Sequence, residues 1–177
     1  MTTIAYKDGI LAADSRLTTG STIVASHYNK VRKLDDGRIV AAVGNVAKHD
    51  DYIKQLASGE IHNNKLDDDG TDAIIVLYED RLEAHYNDGI IIYGLNEFYA
   101  FGSGSTAALA AMHMGLTAIE SVKFASKLDV YTNDVVLAMR FGGKVVSVST
   151  EEEKYEQQNN NVQSDVDSKR IDAEEGH

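Results

Sequence analysis

A chain of 177 residues, 43% apolar and 25% charged, is long enough for one soluble domain whose core needs no staples. It contains no cysteine, which excludes disulfide scaffolds, thiol nucleophiles and cysteine-ligated zinc, and no proline, where usage of about 5% would supply roughly nine. A net charge of −11, no apolar run near the roughly 18 residues of a membrane span and no secretory signal together predict a cytoplasmic protein that binds neither nucleic acid nor membrane.

The first predicted strands, 3–6 and 10–14, flank Lys7-Asp8-Gly9, where glycine supplies the positive φ of a turn. Read as a three-residue loop, the turn pairs Tyr6 with Ile10, Ile4 with Ala12 and Thr2 with Asp14, standing the carboxylate beside Thr2. A two-residue loop would instead pair Thr3 with Asp14, and turn chemistry favours the first register. Strands 30–34 and 38–43 flank Asp35-Asp36-Gly37, pairing Leu34 with Arg38 and Lys30 with Ala42. Gly44 then lies diagonal to Lys30 on the same face, and Lys33 points to the other.

A helix is predicted over 46–57, with Val46, Tyr52, Ile53 and Leu56 near helical spacing, followed by a polar loop over 58–70. Strands 73–78, 82–86 and 90–93 are separated by Glu79-Asp80 and Asn87-Asp88-Gly89. Gly102-Ser103-Gly104 follows an apolar strand and opens an alanine-rich helix over 106–116. A further helix, 118–128, begins with Thr117 and Glu120 at capping-box spacing and places Ala118, Val122, Ala125 and Leu128 on one face. Strands 135–141 and 144–149 flank Gly142-Gly143.

Residues 150–177 carry nine acidic and three basic side chains, net −6, which leaves −5 for the rest. That segment reads as an acidic tail, helical or disordered, after a domain spanning 2–149. Antiparallel strand runs with separately inserted helices predict an α+β fold, two packed sheets with helices outside.

Threonine directly after the initiator methionine becomes N-terminal when that methionine is cleaved. An α-amino group titrates near 7.7–8.0, so it can act as base for its own hydroxyl at neutral pH. By itself a Met-Thr start signifies nothing; further residues extend the reading. Thr2-Thr3-Ile4, Ala12-Ala13-Asp14-Ser15-Arg16, Lys30-Val31, Val43-Gly44, Gly102-Ser103-Gly104-Ser105 and Asp129-Val130-Tyr131-Thr132-Asn133 resemble, in family order, the proteasome β-subunits and the bacterial HslV peptidase.

The resemblance implies an N-terminal nucleophile hydrolase with a four-layer αββα fold. It implies Thr2 as nucleophile with its own amine as general base, and Lys30 as the charge that depresses the pKa of that amine. Asp14 matches the acidic residue that orients the lysine, and the backbone N–H of Gly44 matches the oxyanion donor. Ser103 and Asp129 match the residues that hydrogen-bond around the threonine amine. Thr132 resembles a position in a loop that can bind a cation through carbonyls. By alignment to the family, Leu17, Thr18, Tyr28, Ala42 and Val46 line the pocket for the residue before the cleaved bond, which predicts apolar or aromatic preference; Arg32 and Asp50 lie nearby. The substrate implied is a peptide or unfolded protein, with no cofactor. The active form is expected to start at Thr2. A homo-oligomeric ring is expected too, fed by a separate ATP-driven unfoldase, since GxxxxGK[ST] is absent here.

Each position also has an ordinary structural explanation. Asp14 can end a strand, Lys30 belongs to a basic run with Arg32 and Lys33, Gly44 can cap a strand, and Asp129 can close a helix. One departure stands out: between Gly44 and Thr71 there is room for one helix and a loop, where the family has two helices, so one helix layer is expected to be reduced. Gly102-Ser103-Gly104 mimics a dinucleotide fingerprint but lacks a βαβ partner. A calcium loop starting at Asp67 would place Asp72 and Tyr78 where glycine and glutamate are required. Six histidines form no ligand spacing, so no catalytic metal is expected. A non-catalytic structural or regulatory relative, and a small-molecule amidohydrolase, are the alternative functions.

Overall fold

The computed structural model describes residues 1–59, 66, 72–142 and 145–148, and stacks two antiparallel sheets face to face with helices on both outer faces, a four-layer αββα sandwich. The chain begins with β1 (Thr3–Lys7), β2 (Ile10–Asp14), β3 (Leu17–Thr19), β4 (Thr22–Ala25), β5 (Val31–Lys33), β6 (Ile39–Val43) and α1 (Val46–Ser58). It continues with β7 (Ala73–Leu77), β8 (Leu82–Tyr86), β9 (Gly89–Tyr93), β10 (Tyr99–Gly102), α2 (Ser105–His113), α3 (Ala118–Ala125), β11 (Val136–Arg140) and β12 (Val145–Val148). One sheet has the order β10-β1-β2-β11-β12 and the other β5-β6-β7-β8-β9, while β3 and β4 form a separate hairpin. The tail expected over 150–177 and most of the loop expected over 58–70, Asp67 to Gly70 included, lie outside the described residues.

Strand alternation builds three hydrophobic layers. Ile4 and Tyr6 of β1 and Leu11 and Ala13 of β2 point between the sheets, where they meet Ile39, Ala41, Ile75 and Leu77. Ala5 and Ala12 point the other way, with Ala138, onto α2 and α3. Small side chains on both surfaces let the helices lie close: Ala108, Ala118 and Ala125 are each at most 1% exposed there. On the opposite face Val40, Ile74 and Val76 pack against Tyr52, Ile53 and Leu56 of α1. Among the described residues α1 is the helix on that face.

The first hairpin departs from the expected register. Lys7 pairs with Ile10, Tyr6 with Leu11, Ala5 with Ala12 and Ile4 with Ala13, so the loop has two residues and Thr3, not Thr2, comes opposite Asp14. Asp8 (φ 53°) and Gly9 (φ 76°) are both left-handed, the type I′ pattern whose twist matches that of the flanking strands. Aspartate tolerates that conformation better than most side chains, and this makes the shorter loop accessible. The second hairpin has the expected register: Val31 pairs with Ala41 and Lys33 with Ile39, and the Leu34 N–H donates to the Arg38 carbonyl at 2.8 Å. The capping box is present, with the Thr117 side chain accepting from the Glu120 N–H and Glu120 accepting from the Thr117 N–H. Both helices of that layer end a few residues earlier than periodicity predicts, α2 before Gly115 at φ 97°. The β3–β4 hairpin was not predicted, although β-branched residues flank Gly20-Ser21 at its tip.

Candidate active site

The start of β1 is clamped between two neighbouring strands. The Thr2 carbonyl accepts from the Ser103 N–H at 3.0 Å, and the Thr3 N–H donates to Asp14 Oδ1 at 2.9 Å. Strand alternation then divides the two threonines. Thr2 is buried and lines a cleft with Tyr28, Lys30, Arg32, Ala42, His49 and Ile53. Thr3 faces α2 and α3, where its hydroxyl lies 2.6 Å from that of Thr132 and accepts from the Gly104 N–H.

Lys30, immediately before β5, crosses from the second sheet to this point. Its Nζ donates to Asp14 Oδ1 and Oδ2 at 3.0 and 3.1 Å, and to the Met1 carbonyl at 2.9 Å. Both side chains are buried, and the Arg16 N–H supplies a further bond to Asp14 Oδ2. A buried ion pair is tolerated when such extra hydrogen bonds offset desolvation. Burial holds the Lys30 ammonium below its ordinary pKa, with Asp14 pulling the other way. The N-terminal amine of Met1 is lowered too, first by burial and then by the Lys30 charge. An amine in this setting gives up its proton more readily, as a general base at neutral pH must.

Behind the threonines lies Asp129. Ser103 Oγ and Thr132 Oγ1 each donate to its Oδ2 at 2.6 Å, and the Tyr131 N–H donates to Oδ1. Burial would raise this carboxyl, but the three donors outweigh it and hold the pKa below its usual range. Thr132 spends its proton on Asp129, so Thr3 must donate to Thr132. A continuous chain, Gly104 N–H to Thr3 to Thr132 to Asp129, thus pins the residue next to Thr2.

Residues 1–80 match the family described as Proteasome subunit. ATP-dependent protease subunit HslV of Thermosipho africanus (strain TCF52B) is 29% identical over 154 residues, covering 71% of this chain and 86% of that protein. HslV of Thermosipho melanesiensis is 28% identical with the same coverage. The crystal structure of eukaryotic HslV from Trypanosoma brucei superposes with a TM-score of 0.62 at 20% identity, covering 79% of this chain and 99% of that one.

The chain is similar to the proteasome and HslV-type family.

Within this proteasome-like frame, Thr2, Lys30 and Asp14 come together, and Ser103 pairs with Asp129 behind them. Gly44 directly follows β6, two residues after the cleft residue Ala42. Its φ is +106°, and a Cβ there would lie 1.6 Å from Asp72 Oδ1, so a side chain is excluded twice over. Of the expected substrate residues, Tyr28 and Ala42 line the cleft, while Leu17 and Thr18 lie in β3 and are not among its lining residues. Val46 opens α1, but its side chain lies outside the described residues. His49, Ile53 and Arg32 complete the wall. Helical spacing groups His49 with Ile53, yet only the docking of α1 shows that this pair meets Thr2. Arg32 is occupied, donating to Asp50 at 2.6 Å and to the Tyr28 hydroxyl at 3.0 Å.

A buried polar chain fixes α1 on its sheet. The Tyr52 hydroxyl lies 2.8 Å from His85 Nδ1, and His85 Nε2 lies 2.8 Å from Glu83 Oε2. Glu83 Oε1 accepts from Arg81 Nε at 2.7 Å. Carboxylate oxygens only accept, so Nε2 carries the His85 proton and Tyr52 donates to Nδ1. Tyr52→Phe should therefore lower stability by about 1–3 kcal/mol, because Nδ1 stays buried without a donor. Tyr99→Phe, whose hydroxyl meets the Gly94 carbonyl at the surface, should cost under about 0.5 kcal/mol. Urea midpoints measured side by side check the difference.

Proposed function

We propose that the chain is an N-terminal threonine peptidase. With Met1 removed, Thr2 Oγ1 attacks the substrate carbonyl and the Thr2 amine takes the hydroxyl proton, which later passes to the leaving amine. Water, activated by the same amine, then hydrolyses the ester left on Thr2. The observation that carries this reading is the buried Lys30–Asp14 pair beside Thr2, with Lys30 Nζ donating to the Met1 carbonyl, the bond partner that the freed amine leaves behind. Its positive charge lowers the pKa of the amine. Ser103 and Asp129 position the nucleophile, and the Gly44 N–H serves the oxyanion.

The proposed substrate is a peptide or unfolded protein. Ala42, Ile53 and Tyr28 favour an apolar or aromatic residue before the scissile bond. The proposed setting is a cytoplasmic homo-oligomeric ring served by a separate ATP-driven unfoldase. Exposed apolar side chains in and just after the α2–α3 layer, with Met114, Leu128 and Val130 79%, 68% and 74% exposed, support burial of that layer between copies. The two Thermosipho relatives are described as ATP-dependent protease subunits.

Treatment with a β-lactone that acylates N-terminal threonine tests the reading. A single adduct mapped to Thr2 of an oligomer lacking Met1 is expected. An oligomer with a free Thr2 amine that forms no adduct and cleaves no peptide would overturn it.

A further inference from the structure

A buried carboxylate that the proposed reaction does not use lies directly behind Gly44. Strand parity gives the direction of each backbone group there. The Leu34 N–H donates to the Arg38 carbonyl and Val31 pairs with Ala41, so the polar backbone groups of Arg38, Val40 and Ala42 face β5. Those of Ile39, Ala41 and Val43 face β7, where Val43 pairs with Ala73. A trans peptide points its C=O and N–H opposite ways, so the Gly44 N–H, opposed to the Val43 carbonyl, is aimed back to the β5 side. There Thr2, Lys30 and Ala42 line one cleft.

Past Val43 the ladder stops. The next pair in register would be Gly44 with Asp72, and Gly44, at φ +106°, turns the chain toward α1. Asp72 is 3% exposed, and in place of a ladder bond its Oδ1 accepts from the Asn45 N–H at 3.0 Å. The approach is close, since a Cβ on Gly44 would lie 2.9 Å from the Asp72 Cα. One dipeptide thus fixes Gly44 from both sides: Ala73 pairs with the residue before it, and Asp72 binds the N–H of the residue after it. A donor just past a strand end has no ladder to hold it. It stabilises a developing oxyanion only when its direction is set beforehand.

We propose that Asp72 is a positioning residue for the oxyanion donor: by accepting from the Asn45 N–H it fixes the turn at Gly44 and keeps the Gly44 N–H aimed at the Thr2 side, so it contributes to kcat without touching substrate. The inference rests on the Gly44 N–H serving a Thr2 reaction, and it goes beyond that reading by naming the group that sets the donor's direction.

Variants of the assembled protein test it, with kcat and KM measured separately on one peptide. Asp72→Ala removes the acceptor; kcat should fall about 10²-fold while KM stays within about twofold, because ground-state binding does not draw on the oxyanion donor. Affinity for a peptide aldehyde, whose hemiacetal with Thr2 places its oxygen at the Gly44 N–H, should fall in parallel with kcat. Asp72→Asn, which keeps an oxygen at the same place, should return both quantities to within about fivefold of wild type. Should Asp72→Ala fail to fold, Asp72→Ser, whose hydroxyl falls short of the Asn45 N–H, carries the same expectation. A folded Ala or Ser variant with wild-type kcat, a loss carried in KM instead, or an Asn variant as slow as the Ala one would overturn the inference while leaving Thr2-dependent cleavage intact. A wild-type oligomer lacking Met1 that neither cleaves peptide nor binds the aldehyde would instead remove the peptidase reading, and this inference with it.

Discussion

Thr2→Ala should abolish peptide hydrolysis while stability changes by only about 1 kcal/mol, since one hydroxyl and one methyl are lost at a strand end. Lys30 should matter nearly as much, with kcat lowered by about 10²–10⁴-fold, the usual worth of tuned general-base catalysis. Lys30→Ala alone is ambiguous, because it leaves the Asp14 carboxylate buried beside nothing but backbone donors and can destabilise the fold by about 3–5 kcal/mol. Replacing both charges, with Lys30→Met and Asp14→Asn together, removes that penalty and should return a folded but slow enzyme. The pH profile separates the chemistry from the packing. At the Met1 amine burial, and then the Lys30 charge, lower the pKa; the same charge acting on the freed Thr2 amine means that without Lys30 this amine should keep its proton to higher pH and the acid limb of kcat/KM should move upward. A folded double variant with unchanged turnover and an unmoved acid limb would remove Lys30 from the mechanism.

The second large effect is expected at Gly102. Its φ is +89°, and a Cβ there would lie 1.8 Å from the Thr2 carbonyl oxygen and 3.2 Å from Val43 Cγ1. The obstruction is backbone, so no rotamer relieves it. Gly102→Ala should cost about 2–4 kcal/mol from strain and overlap together and should displace the Thr2 carbonyl from the Ser103 N–H. Activity should fall with stability. Gly20→Ala is the matched comparison, because Gly20 also has positive φ, at +57°, but nothing lies within 4 Å of its added Cβ. That change should cost only about 1 kcal/mol. Denaturant unfolding of the two variants measures the difference, and equal losses would mean that the close approach to Thr2 contributes nothing.

Local chemistry made much of the fold legible in the sequence. Asp35-Asp36-Gly37 marks a hairpin because Gly37 reaches the positive φ it needs, and Asn87-Asp88 marks another with no positive φ, Gly89 already lying in β9; period-two alternation in β1, β2, β6 and β7 separates the residues of the inter-sheet layer from those under the helices. Thr117 and Glu120 announce the start of α3 because a capping box closes within four residues. The ordered series Thr2, Asp14, Lys30, Gly44, Ser103 and Asp129 suggested one site, and the structure brings Lys30 onto Asp14 beside Thr2 and Ser103 onto Asp129.

Other features depended on partners distant in the chain. Lys7-Asp8-Gly9 is locally compatible with a two- or a three-residue loop; the structure has the shorter one, which pairs Ile4 with Ala13 and places both in the inter-sheet core. The bond from Thr3 to Thr132 spans most of the chain, and neither residue carries a local signal of it. Helical periodicity put Tyr52, Ile53 and Leu56 on an apolar face, but a helix pattern does not say which sheet, or which buried histidine, that face will meet. The placement of His49 in the cleft follows from that docking. Turn, cap and alternation energies act within a few residues of the chain, whereas register, helix docking and buried polar pairing are decided by which surfaces lose contact with water together.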